Sequence, residues 1–260
     1  MEVVIADEFT LAELAADAIE ALLRTETAPV IGLATGSSPL RIYDELTTRH
    51  KNEGLSFAHA QAFMLDEYVG IAADHPQRYR NVIDAEIATR VDFAEGAVHG
   101  PDGSADDLAA ASADYERKIA EAGGIDLQIL GIGTDGHIAF NEPGSSLASR
   151  TRVKSLTHQT RLDNARFFDG DVEQVPKLCL TQGLGTIMEA KHLVLVATGG
   201  NKAEAVHQMV EGPISAMWPA TVLQMHQHVT VLLDDASASR LQLGDYYRHA
   251  YENKPEWQNL

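Results

Sequence analysis

The sequence predicts an α/β fold, a doubly wound and mostly parallel sheet with helices on both faces, and three observations predict it. Short apolar runs alternate with helical patterns along the whole length. Several of these runs are apolar at nearly every position, as expected of strands covered by helices on both sides. Helix starts carry recognisable signals, as where Pro39 after Ser37-Ser38 reads as a first turn behind a hydroxyl cap.

The elements follow in order. Residues 3–6, Val3-Val4-Ile5-Ala6, form the first strand-length run, and 11–24 the first helical pattern. Strand 30–34 then leads into helix 39–52, and strand 60–65 precedes helix 78–88. Helix 106–122 feeds strand 125–131. After a long irregular stretch, strand 193–197, helix 202–210, strand 229–233 and a C-terminal helix near 239–251 complete the pattern. The expected architecture is Rossmann-like and three-layered. The least regular segment, 131–171, reads as a functional excursion.

A chain of 260 residues with 45% hydrophobic and 22% charged residues has ordinary globular composition, and no repeat, linker or low-complexity tract divides it. A single domain over residues 1–260 is expected. Twenty basic against 38 acidic residues leave a net charge of −18, a field that repels nucleic acid and anionic membranes. Neither is expected as a partner. A pocket can still be locally positive, so a small phosphorylated ligand is allowed. Cys179 is the one cysteine, which rules out an internal disulfide and a thiol-bound metal cluster. The start of the chain lacks a secretion-signal pattern, and no apolar run approaches the roughly 18–20 residues that span a bilayer. A cytoplasmic location is expected.

In open α/β sheets ligands bind beyond the carboxyl ends of the strands, which singles out loops 35–38, 66–75, 132–150 and 198–201. The first reads Thr35-Gly36-Ser37-Ser38 between a buried strand and a helix. Glycine, hydroxyls and free helix N–H groups suit an anion, although a capped helix start without ligand has the same pattern. In the second, the adjacent acids Asp66 and Glu67 could bind a metal, act as a base or face water. The third contains Gly131-Ile132-Gly133-Thr134-Asp135-Gly136, which fits the G-x-G-x-x-G fingerprint of dinucleotide sites. That fingerprint needs a helix at once and an acid about 20 residues on. Here Pro143-Gly144 ends any helix early and Ser155-Leu156-Thr157-His158 holds no acid, so the nicotinamide reading fails. Asp135, His137 and Glu142 remain: a histidine between carboxylates suits proton transfer to a sugar oxygen, and the same trio could ligate a metal. In the fourth loop, Gly199-Gly200-Asn201-Lys202 places a lysine in a helix's first turn, unfavourable unless a bound anion compensates or solvent screens it. Two anion cradles, a separate acid and an acid–histidine–acid group fit proton shuffling on a small phosphorylated molecule.

At these residues the chain closely resembles the glucosamine-6-phosphate deaminase family. The matching stretches are Leu65-Asp66-Glu67-Tyr68-Val69-Gly70, the run Gly131 to Pro143, Ser146-Leu147-Ala148-Ser149-Arg150-Thr151-Arg152 and Asn164-Ala165-Arg166-Phe167-Phe168. The resemblance implies isomerisation and deamination of D-glucosamine 6-phosphate with water to D-fructose 6-phosphate and ammonia, in amino-sugar (N-acetylglucosamine) catabolism. It implies no organic cofactor and no metal. By the same resemblance Asp66 moves a proton between C2 and C1, and Asp135, His137 and Glu142 open the sugar ring. Ser37, Arg166 and Lys202 hold the phosphate with the backbone around Thr35, Gly36 and Ser38, where many relatives read Thr-Gly-Gly-Thr. Some relatives are hexamers activated by N-acetylglucosamine 6-phosphate; Ser145, Arg152 and Lys154 resemble that effector site, and could equally be surface groups on an irregular loop. A homo-oligomer, hexamer or smaller, is the corresponding expectation. A 6-phosphogluconolactonase shares the fold and is the nearest rival, but Asp66-Glu67-Tyr68-Val69-Gly70 and Asn141-Glu142-Pro143 favour the deaminase. A sugar-phosphate sensor of a transcription regulator would carry a basic DNA-reading segment, which this sequence lacks.

Overall fold

The computed structural model describes every residue except 256, 257 and 259. The chain opens with β1 (Glu2–Ile5), α1 (Glu8–Thr25), β2 (Val30–Leu33), α2 (Leu40–Glu53) and β3 (Gln61–Met64). It continues with β4 (Asp66–Tyr68), α3 (Tyr79–Ile83), β5 (Val98–His99), α4 (Leu108–Glu121) and β6 (Leu127–Leu130). Then come β7 (Arg152–Ser155), α5 (His158–Asn164), β8 (Leu178–Thr181), α6 (Leu184–Ile187) and β9 (His192–Ala197). The last elements are α7 (Ala203–Glu211), β10 (Val229–Leu233) and α8 (Gly244–Glu252).

Seven strands form one sheet in the order β1-β10-β9-β6-β2-β3-β5, every neighbouring pair parallel. The expected doubly wound parallel sheet is present. Its central strands are buried along their whole length, as β9 and β10 illustrate, because helices cover both faces. Each Leu, Val or Ile so buried contributes about 1.5–3 kcal/mol relative to exposure. From β2 the chain winds one way through β3 and β5, then returns to the other side of β2 as β6. The order therefore reverses between β2 and β6, and the loops leaving their carboxyl ends diverge there to open a crevice.

A second sheet, absent from the sequence reading, contains β4-β8-β7 in antiparallel order. The chain passes between the sheets at Leu65, whose N–H donates to Leu33 at 3.3 Å while its carbonyl accepts from Gln182 at 2.8 Å. Asp66 thus begins a strand, not a loop, opposite Thr181. A separate apolar cluster backs this sheet: Tyr68, Phe140, Leu156, Ala165, Phe168, Val175 and Cys179.

Three further expectations need correction. No side chain caps α2, whose boundary residue is Pro39, so Ser37 and Ser38 do not serve as the hydroxyl cap. The helix expected over 78–88 is one α-helical segment to Ile83 followed by a wider turn, Asp84–Ala88, with bonds spanning five residues. The final helix starts at Gly244 rather than near 239. Among the described residues, no helix is long and apolar enough to cross a membrane.

Candidate active site

A cleft of about 610 Å³ opens at the switch point, within the size range of small-molecule sites. It is lined by Thr35, Gly36, Ser37 and Ser38 from the loop after β2, Asp66 from β4, His137 from the loop after β6, Arg166 after α5 and Lys202 before α7. Residues as far apart in sequence as Thr35 and Lys202 therefore face one space. Gly36 has φ +95°, a conformation that favours glycine and lets this loop turn its hydroxyls and N–H groups inward.

Asp66 and Glu67, adjacent in sequence, have opposite tasks. The Glu67 carboxylate is buried and accepts from the N–H groups of Tyr68, Tyr79 and Arg80, each at 2.9 Å. It thereby caps α3, which has no cap of its own. Asp66 turns toward the cleft. Burial, and secondly the nearby Glu67 charge, push its carboxyl up to about 8, with no donor to offset them. Neither acid faces water as an ordinary acidic pair would.

The loop after β6 folds back on itself, Gly133 N–H donating to the His137 carbonyl at 2.8 Å. A Cβ at Gly133 would stand 2.3–2.5 Å from the His137 ring, so the imidazole packs directly on bare backbone. Gly136, with φ +79°, similarly leaves room for Trp218. His137 Nδ1 approaches Asp135 Oδ1 to 2.7 Å, off the line of a straight hydrogen bond, and lies 3.7 Å from Glu142 Oε2. Burial alone would raise the Asp135 carboxyl, but the bond and charge of His137 outweigh it and hold Asp135 below its ordinary value. Glu142 is buried, with Oε1 accepting from Thr157 N–H at 3.0 Å and Oε2 left without a partner beside the ring. The ligand-capable atoms of Asp135, His137 and Glu142 lie within 4.8 Å of one another, the one such group among the described residues. A single imidazole with two carboxylates can hold a divalent ion; here one carboxylate is tied to Thr157 and the other pairs with the imidazole, the arrangement of a proton relay.

Asn141 secures this loop from below, its amide donating to the carbonyls of Ile138 at 3.0 Å and Gln182 at 2.9 Å. Its Oδ1 accepts from Arg152 at 2.9 Å. On the opposite wall Lys202 occupies the residue preceding α7, so the sequence placement in the first turn is right to within one position. Burial, partly offset by Asp163, and the Arg166 charge lower its affinity for a proton. A half-buried ammonium beside a guanidinium is a site that an anion would relieve.

Ser145, Arg152 and Lys154 do not line the cleft. Ser145 is buried with an unpaired hydroxyl, and Arg152 and Lys154 lie two apart on β7, not on an irregular loop. Sequence reasoning passed over Tyr79, Asp163 and Asn164 on the cleft wall. Asn164 stands within the matched stretch 164–168, a signal that was present; Tyr79 had none.

A parallel sheet with an anion-binding rim and an acid–imidazole relay at its switch point defines an acid–base enzyme for a small anionic substrate. Comparison with known proteins narrows this. Residues 7–232 match the family described as glucosamine-6-phosphate isomerases/6-phosphogluconolactonase, and the chain belongs to that family. It is 69% identical to the glucosamine-6-phosphate deaminase of Mycolicibacterium smegmatis and 68% identical to that of Beutenbergia cavernae, with 100% of both chains covered in each case. A solved structure described as a monomeric glucosamine-6-phosphate deaminase superposes with a TM-score of 0.90 at 40% identity, over 92% of this chain and 100% of that one. The 6-phosphogluconolactonase of Thermotoga maritima shares the fold, with TM-score 0.71, 20% identity and coverage of 90% and 98%.

Proposed function

We propose that the chain, acting as a single catalytic unit over residues 1–260, converts D-glucosamine 6-phosphate and water to D-fructose 6-phosphate and ammonia. The observation that carries this reading is the position of Asp66, a carboxyl of raised basicity at the junction of two sheets, in one cleft with His137 and the anion-binding rim.

The phosphate sits among Thr35, Gly36, Ser37, Ser38, Arg166 and Lys202, far enough from the reacting carbons to orient them without taking part. A closed pyranose has no acidic C–H next to a carbonyl. His137, held by Asp135 and Glu142, passes the proton at the ring oxygen as the ring opens. With C1 now a carbonyl, Asp66 takes the C2 proton and returns it to C1, while the C2 ammonium gives up a proton and the C1 oxygen gains one. The imine left at C2 is hydrolysed by water to ammonia and the ketose. An Asp66 with a carboxyl near 8 is largely protonated at neutral pH in the empty site. The substrate's C2 ammonium, arriving beside it, favours the carboxylate, so the substrate prepares its own base.

The metabolic setting proposed is amino-sugar catabolism in the cytoplasm, with no cofactor, metal, nucleic acid or membrane partner. A homo-oligomer, hexamer or smaller, is the proposed assembly, and Ser145, Arg152 and Lys154 the proposed contacts for N-acetylglucosamine 6-phosphate. The bond from Arg152 to Asn141 supports the latter, because it joins β7 to the loop bearing His137 and Glu142. The decisive test is ammonia release from glucosamine 6-phosphate, with and without N-acetylglucosamine 6-phosphate. No ammonia at high enzyme concentration refutes the activity, and an unchanged rate refutes the effector.

A further inference from the structure

Arg166 is exposed and has no carboxylate partner among the described residues; its guanidinium lies over the Phe167 ring at 4.7 Å. Something other than an ion pair must hold it at the cleft. The short 3₁₀ turn Ala165–Phe167 that carries it continues directly from α5, and the last residue of α5 is Asn164. The Asn164 amide donates to the Tyr68 hydroxyl at 3.0 Å, and the Tyr79 hydroxyl donates to the same oxygen at 3.2 Å. Tyr79 is faced in turn by the Thr35 hydroxyl. A polar chain thus runs from Thr35, on the anion-binding rim, through Tyr79 and Tyr68 to Asn164, which leads into the turn bearing Arg166.

This chain crosses an otherwise apolar setting. Tyr68 is 1% exposed and its ring packs against Tyr79, Phe140 and Phe168, with centroids 4.7, 5.7 and 5.8 Å away. Buried hydroxyls in such surroundings must be paired, so the positions of their partners are set jointly. Ala165 and Phe168, on either side of Arg166, belong to the same cluster. Tyr68 also lies two residues beyond Asp66 on β4, so one short strand serves both the proton shuttle and the brace.

We propose that Asn164 is a positioning residue for the substrate phosphate: anchored on the Tyr68 hydroxyl, it holds the Arg166 segment at a set distance from the 35–38 loop. The inference rests on the reading above that Arg166 grips the phosphate. Loss of the anchor releases the guanidinium from its binding position and leaves Asp66 and His137 in place. The cost falls on KM rather than kcat.

The test measures kcat and KM for glucosamine 6-phosphate, and Ki for inorganic phosphate, in Asn164→Ala, Tyr68→Phe, their double variant and Arg166→Ala. Asn164→Ala is expected to raise KM and phosphate Ki together by about fivefold, the net value of one hydrogen bond, with kcat within about twofold. Tyr68→Phe keeps the ring that fills the core but removes the acceptor of both Asn164 and Tyr79, and is expected to raise both constants at least as much. The double variant should equal Tyr68→Phe, because that change has already removed the Asn164 contact. An Asn164→Ala enzyme with unchanged KM and phosphate Ki overturns the proposal, as does a fall in kcat at constant KM or a double variant whose effects multiply. If Arg166→Ala raises both constants while Asn164→Ala raises neither, only the positioning role fails. If Arg166→Ala raises neither, the phosphate role of Arg166 fails and the positioning role falls with it.

Discussion

The two sheets of this molecule are stabilised differently, and the contrast explains how it works. The seven-stranded sheet is filled with aliphatic side chains, of which Leu193, Leu195, Val231 and Leu233 are fully buried on β9 and β10. The polar side chains buried within its strands, Gln128, His192 and Thr230, do not line the cleft; the groups that do line it stand in the loops beyond the strand ends. The three-stranded sheet buries functional groups inside its strands: Asp66 and Glu67 on β4, Thr181 on β8, with Tyr68 hydroxyl-bonded in its core. One region is an aliphatic scaffold, and the other accepts a cost in burial to hold the Asp66 and Glu67 carboxyls where water cannot screen them. Substitutions in the first should alter stability and spare the reaction; substitutions in the second should do the reverse.

Asp66→Asn gives the sharpest separation. Exchange of the C2 proton with solvent should fall by roughly 10²–10⁴-fold, while substrate binding is retained. Normal exchange in this variant would remove Asp66 as the base. The same change should stabilise the fold, and the sign follows from the titration. The native carboxyl near 8 holds a proton that the unfolded one, near 3.8, has released, so wild-type stability falls as pH rises between those values. The advantage of Asp66→Asn in denaturant unfolding should therefore grow from pH 4 to pH 8 and level off above. For the wild type, kcat/KM should decline as pH drops below about 8, because the free enzyme's base becomes protonated.

Leu195→Ala tests the other region. The side chain is fully buried on a central strand, and its truncation should cost about 2–5 kcal/mol of stability with KM and kcat preserved in the folded fraction. A changed KM would show that the large sheet is not merely a scaffold. Lys202→Ala should raise KM roughly ten-fold or more through the lost charge-assisted contact with phosphate, with kcat changed little; an unaltered KM would remove Lys202 as a phosphate ligand. The smallest effect is expected at Arg117, exposed on α4 and paired with Glu121 at 2.6 Å, where Arg117→Ala should change neither unfolding midpoint nor kinetics measurably.

The same contrast governs what could be read without a structure. The strands of the large sheet are legible because burial on both faces leaves continuous apolar runs, and 229–233 coincides with β10. The strands β4 and β7, Asp66–Tyr68 and Arg152–Ser155, are short and carry charge, so they resemble loops; only pairing with β8 reveals them. At two residues, β5 is too short to show any period. Asp66, His137 with its neighbours Asp135 and Glu142, Lys202 and the 35–38 loop follow strand ends, where local pattern is informative. Tyr79 and Asn164 meet only through Tyr68, and no spacing along the chain announces a contact between residues 79 and 164. The division of labour between Asp66 and Glu67 was equally hidden, since it depends on where α3 begins.

Gly133 carries no functional group, yet the imidazole of His137 lies where its side chain would be. Even alanine at this position would evict the ring from its seat between the two acids. Such an enzyme would keep Asp66, Asp135, His137 and Glu142 and still turn over the cyclic sugar slowly, limited by spontaneous ring opening. A genetic screen for loss of activity would thus point to a residue without a side chain, and turnover limited by spontaneous ring opening would betray the displaced histidine.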